Sequence, residues 1–222
     1  MKKTKLLSVA LLAAAWLTTG SVQAWDEPAQ DENGVWQLGS VNDVEWFADY
    51  VEAGNTTANA VLTSDIDYEG QTHTPIGQNQ DRKYNGVFDG QHFRIKNLHM
   101  TGQNTGFFGF VRGGTTIKNI IIDASCSFEA TERCGSLIGF VQAKSGGAIS
   151  INNVVNFASV TSESKVAGGI LAAGHTNNDH PVVNMANCVN VGKVSSASDM
   201  AAALIGWNKS ATISTLKACY NI

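Results

Sequence analysis

Basic residues are scarce in this chain of 222 residues, where 15 Lys and Arg stand against 19 Asp and Glu. The first 24 residues hold three of the 15 and none of the 19, so the remaining 198 carry a formal charge of −7. A phosphate-binding surface needs a basic patch, and so does adsorption to an anionic membrane; neither nucleic acid nor a charged bilayer is an expected partner. Beyond residue 24 no apolar run reaches the roughly 18 residues of a membrane helix, so insertion of that part is not expected. Proline is nearly absent, with three in the chain, and little interrupts strand formation. Carboxylates thin out too: from residue 101 onward there are only Asp123, Glu129, Glu132, Glu163, Asp179 and Asp199. None of them recurs at a regular spacing, which argues against an acidic groove.

What is present begins with an export signal. Lys2, Lys3 and Lys5 precede the apolar run Leu6 to Leu17, and Val22-Gln23-Ala24 offers small residues for cleavage. Residues 1–24 therefore read as a signal peptide, and 25–34 as a flexible acidic leader. The rest, 35–222, reads as one domain large enough for a real core. Export permits disulfides. Cys126 and Cys134 are close in sequence and form one candidate pair; Cys188 and Cys219 are either a second pair or stacked free thiols.

One helix is expected, over about 41–53. Ser40 is a good N-cap, with Asp43 at capping-box spacing. Val44, Phe47, Ala48 and Val51 fall on one face, and Gly54 stops the helix. After it come short apolar runs separated by turn residues, including the Asn-Gly and Asp-Gly dipeptides of 84–91.

Internal repetition decides the fold class. Residues 151–160 (INNVVNFASV) align without gaps to 185–194 (MANCVNVGKV), and 216–222 (LKACYNI) begin a further copy. Ile117-Lys118-Asn119-Ile120 is a weaker copy, and Ile95-Lys96-Asn97-Leu98 is read as an earlier one. Between them recur Gly106 to Phe110, Gly135 to Phe140, Gly168 to Ala172 and Ala201 to Trp207. The β-branched content excludes helical repeats, and the units are too short for propeller blades. A parallel β-helix fits, all-β apart from its N-terminal cap, with repeats over about 84–222. Stacking places Asn119, Asn153 and Asn187 in one ladder and Asn156, Asn190 and Asn221 in another. Ile120, Val154, Cys188 and Cys219 stack inward. The chain stops inside its last copy, so self-association through an uncapped C-terminal coil is expected.

The helix segment Val44 to Val51, the run Ala60 to Asp67, Pro75-Ile76-Gly77 and the block Tyr84 to Leu98 resemble exported bacterial proteins carrying GLUG motifs, of the Bacteroidetes type. Leu137-Ile138-Gly139 and Leu204-Ile205-Gly206 are degenerate forms of the Gly-Leu/Ile-Gly element. The resemblance implies a right-handed helix and a secreted or cell-surface protein of adhesin-like character, from a Gram-negative bacterium. Some members carry peptidase domains; the chain has no HExxH sequence.

For chemistry, glycoside hydrolysis requires two carboxylates roughly 5–10 Å apart. The candidates are Asp65, Asp67 and Asp89, with Asp65 and Asp67 on one strand face. A turn-forming role is the simpler reading of Asp89. His175, Asp179 and His180 share a polar loop and are candidate metal ligands. Tyr84, Trp207 and Tyr220 are candidate exposed rings for a glycan. No cofactor is expected. The leading expectation is a non-catalytic module that binds a glycan or a surface protein. The alternatives are a β-helix lyase or glycosidase, and a structural piece of a longer solenoid.

Overall fold

The computed structural model describes residues 25–142, 147–174, 182–198, 200–208 and 214–222. They form a parallel β-solenoid with one helix at its N-terminal end. The expected signal peptide and the loop of His175, Asp179 and His180 lie outside the described residues.

Strand Trp36–Leu38 and strand Ala60–Leu62 pair in parallel, and the helix Val41–Glu52 is the crossover between them. Its start is as expected. Asp43 N–H donates to Ser40 Oγ at 3.2 Å, and Asp43 Oδ2 accepts from Gly39 N–H and the Ser40 hydroxyl, both at 2.9 Å. Val44, Phe47, Ala48 and Val51 are buried against the first coils. The helix thus covers the end of the core, where an open coil would leave apolar side chains in water. Residues 25–34 do not extend as a free arm. Gln37 N–H donates to Ala29 O at 2.9 Å, Gln30 bridges Trp36 in antiparallel sense, and Pro28 is buried.

Three sheets form the walls. The first runs through Trp36–Leu38, Ala60–Leu62, Val87–Asp89, Thr116–Ile122, Ala148–Asn156, Val182–Ala186 and Ser214–Lys217. The second contains His99–Thr105 and Ser127–Gly135, which pair, followed by Ser159–Ser162 and Val166–Gly168 on the two halves of the latter. The third stacks Phe108–Val111, Ile138–Val141, Leu171–Gly174 and Ile205–Asn208. Register brings like residues together: Phe88, Ile117, Ile151 and Met185 form one column of the core.

Both asparagine ladders form. Asn187 Nδ2 donates to Asn153 Oδ1 at 3.1 Å, and Asn153 Nδ2 donates to Asn119 Oδ1 at 2.8 Å. In the other ladder Asn156 Nδ2 donates to Asn190 Oδ1 at 2.8 Å, and Asn190 Nδ2 to Asn221 Oδ1 at 2.9 Å. Asn119, Asn153 and Asn187 have φ of 57°, 55° and 54°. Asparagine tolerates this left-handed turn better than most side chains. The inward stack Ile120, Val154 and Cys188 is buried as expected.

One register differs from the expectation. Ile95 pairs with Ile122 rather than stacking on Ile117, whose neighbour is Phe88. Asn97 and Asn119 both occupy left-handed turns (φ 51° and 57°) after an apolar residue and a lysine, but at different corners of the coil. The two corners look alike in sequence because the turn chemistry is the same.

The corner between the second sheet and the third lies at the repeated glycines. A Cβ at Gly135 would lie 2.3 Å from Ile138 O, and one at Gly168 would lie 2.0 Å from Leu171 O. Only glycine lets the two backbone segments approach this closely.

Candidate functional site

That corner folds the outer faces of two sheets toward each other. One wall carries the column Asn104, Arg133, Val166, Met200. The facing wall carries Phe110, Phe140, Ala173, Trp207. Toward the C-terminal end the corner is filled: Phe140, Val166 and Ala173 are buried in a cluster separate from the main core, with Phe110 and Trp207 packed against it. Toward the N-terminal end it is open.

The opening is a cleft with two chambers. The larger, about 520 Å³, lies between the segments His73 to Gln80 and Met100 to Thr105, with Gly109 and Phe110 also lining it. The smaller, about 310 Å³ and the more open of the two, is lined by Phe110, Phe140, Glu132, Arg133 and Gln142. Gln80, Gln103, Asn104 and Phe110 line both, so the two chambers adjoin.

The cleft is rich in carboxamides. Gln78, Asn79, Gln80, Gln103, Asn104 and Gln142 all face it. Among the described residues lining it, Glu132 is the one carboxylate. Its Oε2 takes Arg133 Nη1 at 2.9 Å and Lys165 Nζ at 2.5 Å, and its Oε1 takes Gln103 Nε2 at 3.0 Å. The Lys165 ammonium and the Gln103 amide hold the Glu132 carboxyl below its ordinary range. Arg133 also donates from Nη1 to Asn104 Oδ1 at 2.9 Å, and its guanidinium lies 5.1 Å over the Phe140 ring. Phe110 and Phe140 meet edge to face at 5.6 Å. Two buried atoms of residues lining the smaller chamber, Arg133 Nε and Gln142 Oε1, have no hydrogen-bond partner among the described residues.

At the N-terminal edge of the larger chamber lies His73. Its side chain is buried, with Nε2 3.0 Å from Phe107 O and Nδ1 2.6 Å from Glu45 Oε1. A carbonyl oxygen only accepts, so Nε2 carries hydrogen, and Nδ1 faces both the Glu45 carboxyl and the Tyr68 hydroxyl, the latter at 3.0 Å. Tyr68 Oη is 3.3 Å from the same Glu45 oxygen, and Thr74 N–H donates to Glu45 Oε2 at 2.9 Å. Burial raises the Glu45 carboxyl pKa, but His73 and the Thr74 N–H outweigh it and hold the group below its ordinary value. With both ring nitrogens committed, His73 ties the cap helix to the coils.

The carboxylates expected to do chemistry hold turns instead. Asp67 Oδ1 accepts from Glu69 N–H at 3.0 Å and Asn97 Nδ2 at 2.7 Å. Asp65 accepts from Arg94 N–H at 2.9 Å and pairs with Lys96 at 2.5 Å. Asp89 Oδ1 accepts from Gln91 N–H and Asn119 Nδ2, both at 2.9 Å, and Oδ2 pairs with Lys118 at 3.0 Å. Burial opposes ionisation of Asp89, but these donors hold its carboxyl below the ordinary value. Asp89 lies in register with Val61, whereas Asp67 pairs with Lys96, so the trio is split between columns.

The three aromatic candidates are not brought together either. Tyr84 is fully buried, against Phe47 and Phe108, with its hydroxyl donating to Ala58 O at 3.0 Å. It is a core residue and cannot meet a ligand. Its polar neighbours Lys83 and Asn85 made it look exposed. Trp207 is half-buried at the filled end of the corner. Tyr220 is 60% exposed, on the last rung of the first sheet. All four cysteines are free thiols. Cys126 and Cys134 are not a pair, since the strand Ser127–Gly135 runs from one to the other. The cleft itself was missed, although the recurrence Gly109-Phe110-Val111 and Gly139-Phe140-Val141 marks one of its walls.

No protein-family model matches the chain, and no curated protein does. Among solved structures it is similar to the crystal structure, at 1.30 Å, of a "putative immunoglobulin A1 protease" from Bacteroides ovatus. The TM-score is 0.56 with 15% identity, over 89% of this chain and 78% of that one. This likeness is one of fold. The molecule is a parallel β-solenoid with a helical cap and an amide-lined cleft at its concave corner.

Proposed function

We propose that this protein is an exported, non-catalytic binding module of adhesin-like character whose cleft takes a carbohydrate chain. The observation that supports the reading is the composition of the cleft. Six carboxamides and two phenylalanines line it, and its one carboxylate is already held by Arg133, Lys165 and Gln103. Amides match hydroxyl groups as both donors and acceptors. Half-buried Phe110 offers an apolar surface to the C–H face of a sugar ring. Hydrolysis requires a second carboxylate across the bond, and the described residues of the lining supply none. The name carried by the Bacteroides ovatus protein suggests proteolysis, but the histidine at this cleft is buried with both nitrogens engaged, which does not suit a general base.

A glycan array and calorimetry with residues 25–222 test the reading. Binding to a glycan class, loss of at least roughly ten-fold in Phe110→Ala, and no release of reducing ends or unsaturated products are expected. Product release would instead mean an enzyme, and a blank array from folded protein would leave the cleft without a carbohydrate role.

A further inference from the structure

Resting on the carbohydrate reading above, we propose that a neutral sugar lies against the open edge of the second sheet in the larger chamber, held by the main chain of Thr101. The strand His99–Thr105 pairs on one side, with Ser127–Gly135. Leu98 O accepts from Ser127 N–H at 2.9 Å, and this bond sets the phase of the parallel ladder. Met100 and Gly102 then turn their N–H and C=O groups toward Ser127–Gly135, and His99 and Thr101 turn theirs the other way. No strand stands on that side among the described residues. The preceding coil runs instead through His73 to Gln80, across a gap of about 520 Å³. Thr101 lines this gap, so its N–H and C=O meet a ligand there as a fixed donor beside a fixed acceptor.

Open sheet edges commonly accept an extended peptide, but this edge is short at both ends. Asn97 turns with φ 51°, and its carbonyl already accepts from Gly70 N–H. The register shifts between Gly102 and Asn104, so a second strand would find no regular run beyond Gly102. A sugar needs less, since adjacent hydroxyls bind to one donor and one acceptor side by side. Exposed Gln78 and Gln80 on the facing segment, and Gln103 on the edge, supply amides for further hydroxyls. The lining also selects against charge. His73 is its one titratable side chain among the described residues, and both ring nitrogens are engaged. In the adjoining chamber Glu132 already holds Arg133 at 2.9 Å and Lys165 at 2.5 Å. An acidic sugar would give up hydration without gaining a cation. Gly102 leaves room for the ring, because a Cβ there would meet only Thr105 Oγ1, at 3.4 Å.

The test titrates the protein with neutral oligosaccharides, uronic-acid oligosaccharides and extended peptides, reading affinity by calorimetry and the Thr101 amide by NMR. Two variants are compared with the wild type. Thr101→Pro removes the N–H on the open side, where a sheet edge tolerates proline. Gly102→Leu fills the chamber at a glycine whose φ is not left-handed. Far-UV circular dichroism checks the fold, and the Thr101 amide of the wild type decides the matter if neither variant folds. Neutral oligosaccharides should shift the Thr101 amide and bind at least roughly ten-fold more weakly to both variants. Neutral binding that leaves the Thr101 amide and both variants unchanged overturns the edge site while the carbohydrate reading stands. Binding of uronic-acid chains alone also overturns it. If no oligosaccharide binds folded protein, both readings fall, and a peptide that then shifts the Thr101 amide would make the edge a strand-binding site.

Discussion

Asn119 Nδ2 donates to Asp89 Oδ1 at 2.9 Å, and this bond ends a one-way chain of amides. Asn187 donates to Asn153, Asn153 to Asn119, and Asn119 to a carboxylate that only accepts. Each amide thereby keeps its oxygen for the next coil, and the polarity of the ladder is set at its first rung. Lys118 neutralises that rung at 3.0 Å. Asp89 is therefore the anchor of a stacking ladder.

Substitution at the middle of this ladder separates its two contributions. Asn153→Gly loses the side-chain bonds to Asn119 and Asn187 but suits the φ of 55°. Asn153→Ala loses the bonds and also strains the backbone. Losses of about 1 kcal/mol for the glycine variant and about 2 kcal/mol for alanine are expected from urea unfolding. Ala218 occupies the next place in the column with φ 49°, so the alanine variant should still fold. Equal losses for the two variants would remove backbone strain from the account.

The repeats, the cap and both ladders were legible because stacking demands the same residue type at the same place in successive coils. The cleft was not, because its walls change character from coil to coil. Asn104, Arg133, Val166 and Met200 share a column without sharing chemistry. Glu45 was hidden for another reason. It lies beside the apolar face of the helix, and only His73, from a distant segment, explains its burial.

Acid should loosen the cap. The Glu45 carboxyl is held below its ordinary value of 4.5, so its contribution is complete above that value and is lost as pH falls through the lowered one. Asp89, lowered from 3.8, adds to the loss in the same direction. The urea midpoint should fall between about pH 5 and pH 3. Glu45→Gln should be less stable at neutral pH by about 1–3 kcal/mol, since an amide replaces only one of the two oxygens that face His73 and the Thr74 N–H, and should show a flatter decline in acid. An unchanged acid profile in Glu45→Gln would place the acid sensitivity elsewhere.

Thiol labelling should report the stack of the last coils. Burial pushes the Cys134 and Cys188 thiols up to about 12 and raises Cys126 as well. Cys219 is only half-buried. Native protein at about pH 8 should take label at Cys219 first, and at all four cysteines after denaturation. Two labels after denaturation without reductant would mean that Cys188 and Cys219 are bonded to each other.

The corner glycines carry the last expectation. A Cβ at Gly168 would lie 2.0 Å from Leu171 O and 2.5 Å from Gly206 N, both backbone atoms that cannot swing aside. At Gly102, on the open wall of the cleft, the nearest atom would be Thr105 Oγ1 at 3.4 Å, an ordinary contact. Gly168→Ala should therefore lose at least about 3 kcal/mol and Gly102→Ala less than about 1 kcal/mol, read from thermal unfolding. The difference bears on function, because the same close approach sets the angle between the two walls. A Gly168→Ala variant that folds with wild-type stability would mean that the corner can open without cost, and the cleft would then lack the rigid floor that ring recognition requires.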